Sequence, residues 1–181
     1  MCIGIDVSEN MVGAYNARAQ TAVRTFHDRN LAYPIKLTPV VAKGLYPDKR
    51  RGYTGNIILS SDPVPEAFSG PEFHDFNLAS VTSGFHHFED CDLSAKRLAE
   101  RLRPGGVLFI LDFLPHGHDK TPSSGVAHHG FTQERIKEIF EGAGCAEGFA
   151  FRSLPEEIVF EDKKSGRRMV RGVFLARGTK S

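Results

Sequence analysis

The chain has 181 residues, enough for one domain with a real core. Hydrophobic residues make up 40% and charged residues 25%, and 23 basic against 22 acidic side chains leave a net charge of +1, so no charge field calls for nucleic acid or an anionic membrane. No apolar run approaches the roughly 18 residues a spanning helix needs, and Cys2, Cys91 and Cys145 lack metal-ligand spacing and read as reduced thiols.

The first element is "CIGID", a short apolar strand ending in an acid, Asp6. Ser8 is placed to cap a helix whose buried face would be Met11, Val12 and Tyr15. Residues 24–50 mix prolines with basic clusters and hold no sustained period, so they read as an irregular insertion. "GYTGNIILSSDP" follows as a strand end, with Asn56 and then Ile57 just past it. "FNLASVT" reads as a strand over 76–82 that breaks at Ser83-Gly84. "LSAKRLAERLRPGG" sets Ala95, Leu98, Ala99 and Leu102 at helical spacing, and the helix is expected to run to the breaker Pro104-Gly105-Gly106.

"VLFILDF" is apolar without alternation, as a parallel strand covered on both faces should be. "FTQERIKEIFEGAG" is a helix with Thr132 as cap, Ile136, Ile139, Phe140 and Ala143 as its stripe, and Gly142 or Gly144 as its stop. "GFAFRSLPEEIVFE" and "RMVRGVFLARG" form an antiparallel hairpin across "DKKSGRR". This order predicts one α/β domain with a mainly parallel, Rossmann-like sheet and an antiparallel C-terminal hairpin.

Taken together, "GIDVSENMVGAYNARA", "FNLASVTSGFHHFED", "LRPGGVLFILDF", "FTQERIKEIFEGAG" and "VFLARG" resemble class I S-adenosylmethionine-dependent methyltransferases. The resemblance covers most of residues 2–22 and 76–178. It implies S-adenosyl-L-methionine as cofactor, bound across the C-terminal ends of the parallel strands, and a small molecule as methyl acceptor. Asp6 then matches the acid that holds the two ribose hydroxyls, a task suited to two charged acceptor oxygens. Read without the family, Asp6 is a second N-cap candidate beside Ser8. Val7 would lie on the adenine, Asn56 would meet its amino group, and Ile57 would pack against the ring.

Ser83 and Gly84 would pass the methionine part of the cofactor. His86 and His87 are candidate bases, although neighbouring side chains diverge and at least one of them should pack, cap or line the wall. His87 and His116 are the candidates for substrate contact. His116, His118, Asp119, His128 and His129 also invite a metal reading, but their spacing fits no ligand pattern, and a pocket or solvated loop is preferred, with no metal expected.

One family feature is absent. No Gly-x-Gly-x-Gly follows a first strand, so the chain is expected to be truncated at its N-terminus and to lack the backbone cradle for the methionine carboxylate. Losing that strand removes burial worth about 6–15 kcal/mol, unless the Asp6 strand pairs directly with the strand at 76–82. Two other readings stand beside methyl transfer. One is a non-catalytic Rossmann-like module without cofactor, and the other a dinucleotide oxidoreductase, which needs the same missing glycines. The absence of a basic, then apolar, leader makes a cytoplasmic location the expectation.

Overall fold

The structure is a computed structural model and describes residues 2–6, 8–14, 16–17, 50–59, 61–62, 65–117, 126–161 and 168–181. Most of the expected 24–50 insertion, together with Val7, Tyr15, His118 and Asp119, lies outside the described residues. Two compact units are present, Met1–Leu59 and Ser60–Ser181.

In the first unit, β1 (Cys2–Asp6) runs parallel to β2 (Arg50–Thr54), in register from Cys2 opposite Arg50 to Asp6 opposite Thr54. β2 thus begins at Arg50, the last residue of the expected insertion. Ser8 opens the helical residues 9–14 and 16–17, its hydroxyl accepting from Met11 N at 3.4 Å and its carbonyl from Val12 N at 3.0 Å. Met11 is not on the buried face but 59% exposed. The inward side is set by Val12 and Asn16, one turn apart. The Asn16 amide takes both backbone groups of Gly52, accepting from its N–H at 2.6 Å and donating to its carbonyl at 3.2 Å. This leaves Met11, about 100° round the helix from Val12, pointing outward.

The second unit holds β3 (Phe76–Thr82), α1 (Cys91–Glu100), β4 (Leu102–Phe113), α2 (Gln133–Gly142), β5 (Glu147–Glu161) and β6 (Arg168–Thr179). Its sheet has the order β3-β4-β6-β5. β3 and β4 are parallel, and β6 is antiparallel to both β4 and β5. So β3, β4 and β5 run one way and β6 alone is reversed, the expected parallel sheet with a terminal hairpin. Among the described residues the ladder partner of β1 is β2, and the sheet that holds the strand at 76–82 is β3-β4-β6-β5, so the pairing expected as a repair is not the one found there.

The core forms where β4 and β6 meet the helices. Leu108 and Ile110 of β4, Ala95 and Ala99 of α1, Ile136, Ile139 and Phe140 of α2, and Phe174 of β6 are buried in one cluster with Phe85. Each large apolar side chain there is worth about 1.5–3 kcal/mol. Asp90 caps α1 by accepting from Leu93 N at 2.8 Å, and Thr132 caps α2 by accepting from Arg135 N at 3.2 Å. Arg135 also pairs with Asp92, joining the two helices.

The expected helix stop is misplaced. α1 ends at Glu100, and Pro104-Gly105-Gly106 lies inside β4. The register jumps from Phe76 opposite Leu102 to Leu78 opposite Val107, so the stretch between is a bulge. Gly105 has φ +73°, and a Cβ on Gly106 would press on the carbonyls of Arg103 and Phe76. Leu102 gives up its helical place because it is buried as the first pair of the strand ladder.

Candidate functional site

The site is built from the C-terminal end of β4 outward. Asp112 is fully buried, an acid in the otherwise apolar run Val107–Phe113 of β4, and four N–H donors converge on it. Phe85 N and His86 N donate to Oδ2 at 2.8 and 3.2 Å, and Phe113 N donates to Oδ1 at 2.7 Å. The fourth donor is the imidazole of His86, with Nδ1 2.7 Å from Oδ1. A buried carboxylate is tolerated only when its oxygens are occupied in this way.

Asp112 thereby holds the turn after β3 in place. Ser83 leaves the strand with φ +53°, a left-handed conformation unusual for a residue with a side chain, and its N–H donates to Leu111 O at 2.8 Å. Residues Phe85–His87 make one tight helical turn. The His86 carbonyl accepts from Ala127 N at 3.1 Å and His128 N at 3.0 Å, which brings residues 126–131 back over the end of β4. Phe131 N donates to Phe113 O at 2.9 Å and His116 N to His129 O at 3.0 Å, and Gly130, at φ +87°, lies so close to Leu114 that a Cβ would collide with its carbonyl.

These segments enclose an open cavity of about 220 Å³. Ser83, His86 and His87 line it from the β3 turn, Phe113 and His116 from the end of β4, and Val126 and His129 from the returning segment. The hairpin adds Phe160, Met169 and Arg171. Phe160 pairs with Met169 and Ile158 with Arg171 across β5 and β6, so alternation puts Phe160, Met169 and Arg171 on one face.

The residues singled out from sequence fall as follows. Ser83, His87 and His116 reach the cavity, His87 exposed and His116 half-buried, with the His116 ring nitrogen Nδ1 3.1 Å from Gly117 O. Gly84 has φ −146°, and a Cβ there would meet only ordinary contacts, so its own fold does not require glycine. In the first unit, Asp6 ends β1, and Asn56 lies two residues past β2 with Oδ1 accepting from Ile58 N at 2.9 Å. Ile57 is buried. Of the two adjacent histidines, His86 is 7% exposed and committed to Asp112, while His87 is exposed, the divergence expected of neighbours.

Among the described residues no group of three or more His, Cys, Asp or Glu is arranged to hold a metal. His128 instead has Nε2 3.0 Å from Phe88 O. Cys91 and Cys145 are free and buried. Burial pushes the Cys91 thiol up to about 12, against the pull of Arg135 and with the help of Asp92, Asp112 and Asp90, and burial raises Cys145 as well. No helix among the described residues is long and apolar enough to cross a membrane.

Sequence reasoning passed over Asp112 and the hairpin residues, whereas His129, read from sequence as pocket or loop, lines the cavity. The signal for Asp112 was present, since an acid inside an apolar strand must be paid for by partners. Nothing local announced Phe160, Met169 or Arg171, whose position depends on how far the hairpin extends past β4.

No family model matches the chain. An uncharacterised methyltransferase of Schizosaccharomyces pombe is 28% identical over 153 residues, which are 80% of this chain and 45% of that protein. The chain therefore spans less than half the length of this curated relative. Among solved structures, YcgJ of Bacillus subtilis matches with a TM-score of 0.58 at 13% identity, over 99% of this chain and 82% of that one. A SAM-dependent methyltransferase of Methanosarcina mazei matches with a TM-score of 0.54 at 18% identity, over 99% and 82%. The fold is the Rossmann-like fold of class I methyltransferases.

Proposed function

We propose that this chain serves the transfer of a methyl group from S-adenosylmethionine to a small-molecule acceptor. The observation that carries this reading is the cavity at the C-terminal ends of β3 and β4, where open α/β sheets bind their ligands. The donor chemistry available suits this cofactor. By side-chain type, Asp6 would give two acceptor oxygens to the ribose, Val7 and Ile57 would give apolar surface to the adenine, and the Asn56 amide would meet the adenine amino group. Ser83, His87 and His116 line the cavity; in this reading Ser83 and its neighbour Gly84 would pass the methionine part of the cofactor, and His87 and His116 would contact the acceptor. Bound, the cofactor supplies a methyl group activated on a sulfonium. The chain supplies placement, since in-line displacement depends chiefly on proximity and alignment.

A second reading, a Rossmann-like module without cofactor, is favoured by one observation: the sequence holds no Gly-x-Gly-x-Gly cradle. Calorimetry with S-adenosylmethionine separates the two, on residues 1–181 and on the same chain fused behind a strand ending in Gly-x-Gly-x-Gly. Two or three missing charge-assisted bonds at about 1.5–3 kcal/mol each, set against about 8.2 kcal/mol for a micromolar site, predict a millimolar or weaker Kd for residues 1–181. The fused chain should bind saturably, and Asp6→Ala should weaken that binding by about 1.5–3 kcal/mol. No saturable binding by the fused chain would favour the second reading, and equal affinity of the Asp6→Ala variant would remove Asp6 from the site.

A further inference from the structure

The methyl-transfer reading assigns no role to the best-organised polar group in the cavity wall. His86 is clamped on three sides. Its Nδ1 meets Asp112, its ring lies 4.0 Å from the His87 ring and 4.8 Å from the Phe113 ring, centroid to centroid, and its backbone N–H also goes to Asp112. Asp112 is an acceptor and already takes three backbone N–H groups, so the ring nitrogen facing it is the donor. In the neutral ring the lone pair is then on Nε2, the nitrogen turned away from Asp112 on a residue that lines the cavity.

We propose that His86 is a proton acceptor for the substrate, with Asp112 as the positioning residue that fixes its tautomer, and that the substrate is an apolar molecule carrying a phenol-like hydroxyl. This rests on the methyl-transfer reading and assigns its acceptor class. The described lining contains no carboxylate, so a protonated amine would find no counter-charge at the wall. A carboxylate acceptor arrives without a proton and needs no base. A neutral hydroxyl does need one, and Phe113, Val126, Phe160 and Met169 offer apolar surface to the body that carries it.

In the step, a lone pair of the hydroxyl oxygen forms the new O–CH₃ bond while the S–CH₃ bond breaks and its electron pair stays on sulfur. The hydroxyl proton passes to His86 Nε2. The resulting imidazolium keeps its Nδ1–H on Asp112, whose charge balances it, the role a carboxylate plays behind a catalytic histidine.

The test is nitrogen NMR of the histidine rings in residues 1–181, which requires no cofactor. His86 should show Nδ1 protonated and Nε2 as an unprotonated, pyridine-type nitrogen. Asp112→Asn should lose that single tautomer, because an amide can donate as well as accept. Titration with p-cresol should shift the His86 Nε2 signal saturably, whereas p-methylanisole, the same body without the O–H, should leave it in place. His86→Gln should weaken p-cresol binding about three- to tenfold, the worth of one neutral hydrogen bond, and it keeps the measurement available if Asp112→Asn does not fold. A wild-type His86 protonated on Nε2, equal responses to the two probes, or unchanged p-cresol affinity in His86→Gln would each overturn the proposal. No saturable cofactor binding by the fused chain, with the His86 signature intact, would count against the methyl-transfer reading alone.

Discussion

Cys91 shows at the scale of one residue how competing effects are decided by magnitude. It is the first residue of α1, where the helix terminus favours a thiolate. Yet its thiol is buried, 3.6 Å from both the Phe85 and Phe88 carbonyls, and desolvation prevails, pushing it up to about 12. Its stability contribution is therefore whole below the unfolded value near 9 and is lost as pH rises toward 12, because the unfolded chain gives up the proton first. Denaturant melts at pH 8, 9 and 10 should show stability falling with pH, by up to about 1.4 kcal/mol per unit from this group. Cys91→Ala should fall less steeply, and a slope equal to that of the wild type would assign the pH dependence to other groups. The same scale explains what could not be read from sequence. The position of Asp6 at the end of its strand was legible from pattern alone, but the choice of His86 over His87 as the buried ring was set by the carboxylate of residue 112, which is 26 positions away in sequence.

Among the elements, the sequence was clearest where period and caps agreed. β3 and the cap and apolar stripe of α2 stand where the pattern put them, since Thr132 and the spacing of Ile136, Ile139 and Phe140 are local signals. Pro104-Gly105-Gly106 was misread because glycine signals a special backbone without saying whether a helix is stopping or a strand is bulging. Here the buried pairing of Leu102 with Phe76 decides. Arg101, at the junction, is also buried and donates to the Phe68 carbonyl and to His74 Nε2 at 2.9 Å, tying the turns over 66–73 to the start of β4. Gly130 in the returning segment is a sharper test of local backbone. Its φ of +87° and its closeness to Leu114 leave no room for a methyl group. Gly130→Ala should cost about 1–3 kcal/mol and speed amide exchange at Phe131, whose N–H is bonded to Phe113 O. Unchanged exchange at Phe131 would show that the segment absorbs the strain without opening.

At the scale of the whole molecule, the buried cluster is drawn only from residues 85–176 and lies within the second unit. Residues 60–181 alone should therefore unfold cooperatively, as judged by coincident far- and near-UV circular dichroism melts; loss of the near-UV signal in the fragment would show that its packing needs residues 1–59. The sequence disclosed the order of strands and helices in this unit but not the reach of its hairpin, because strand length past the last ladder partner of β4 leaves no periodic mark. β5 shifts register between Ser153 and Glu157, at Pro155, and the part beyond it carries Phe160 while the facing part of β6 carries Met169 and Arg171. Those three side chains are outside the buried cluster. Mutations there touch the cavity without opening a hole in the core, whereas removing the Asp112 side chain takes away the acceptor for Phe85 N and His86 N in the turn that shapes it. Over many generations the two walls are thus subject to different selection. The hairpin tip is free to drift and try new acceptors, and the wall held by Asp112 has to stay as it is, so a lineage of such proteins would diversify its chemistry from the tip inward.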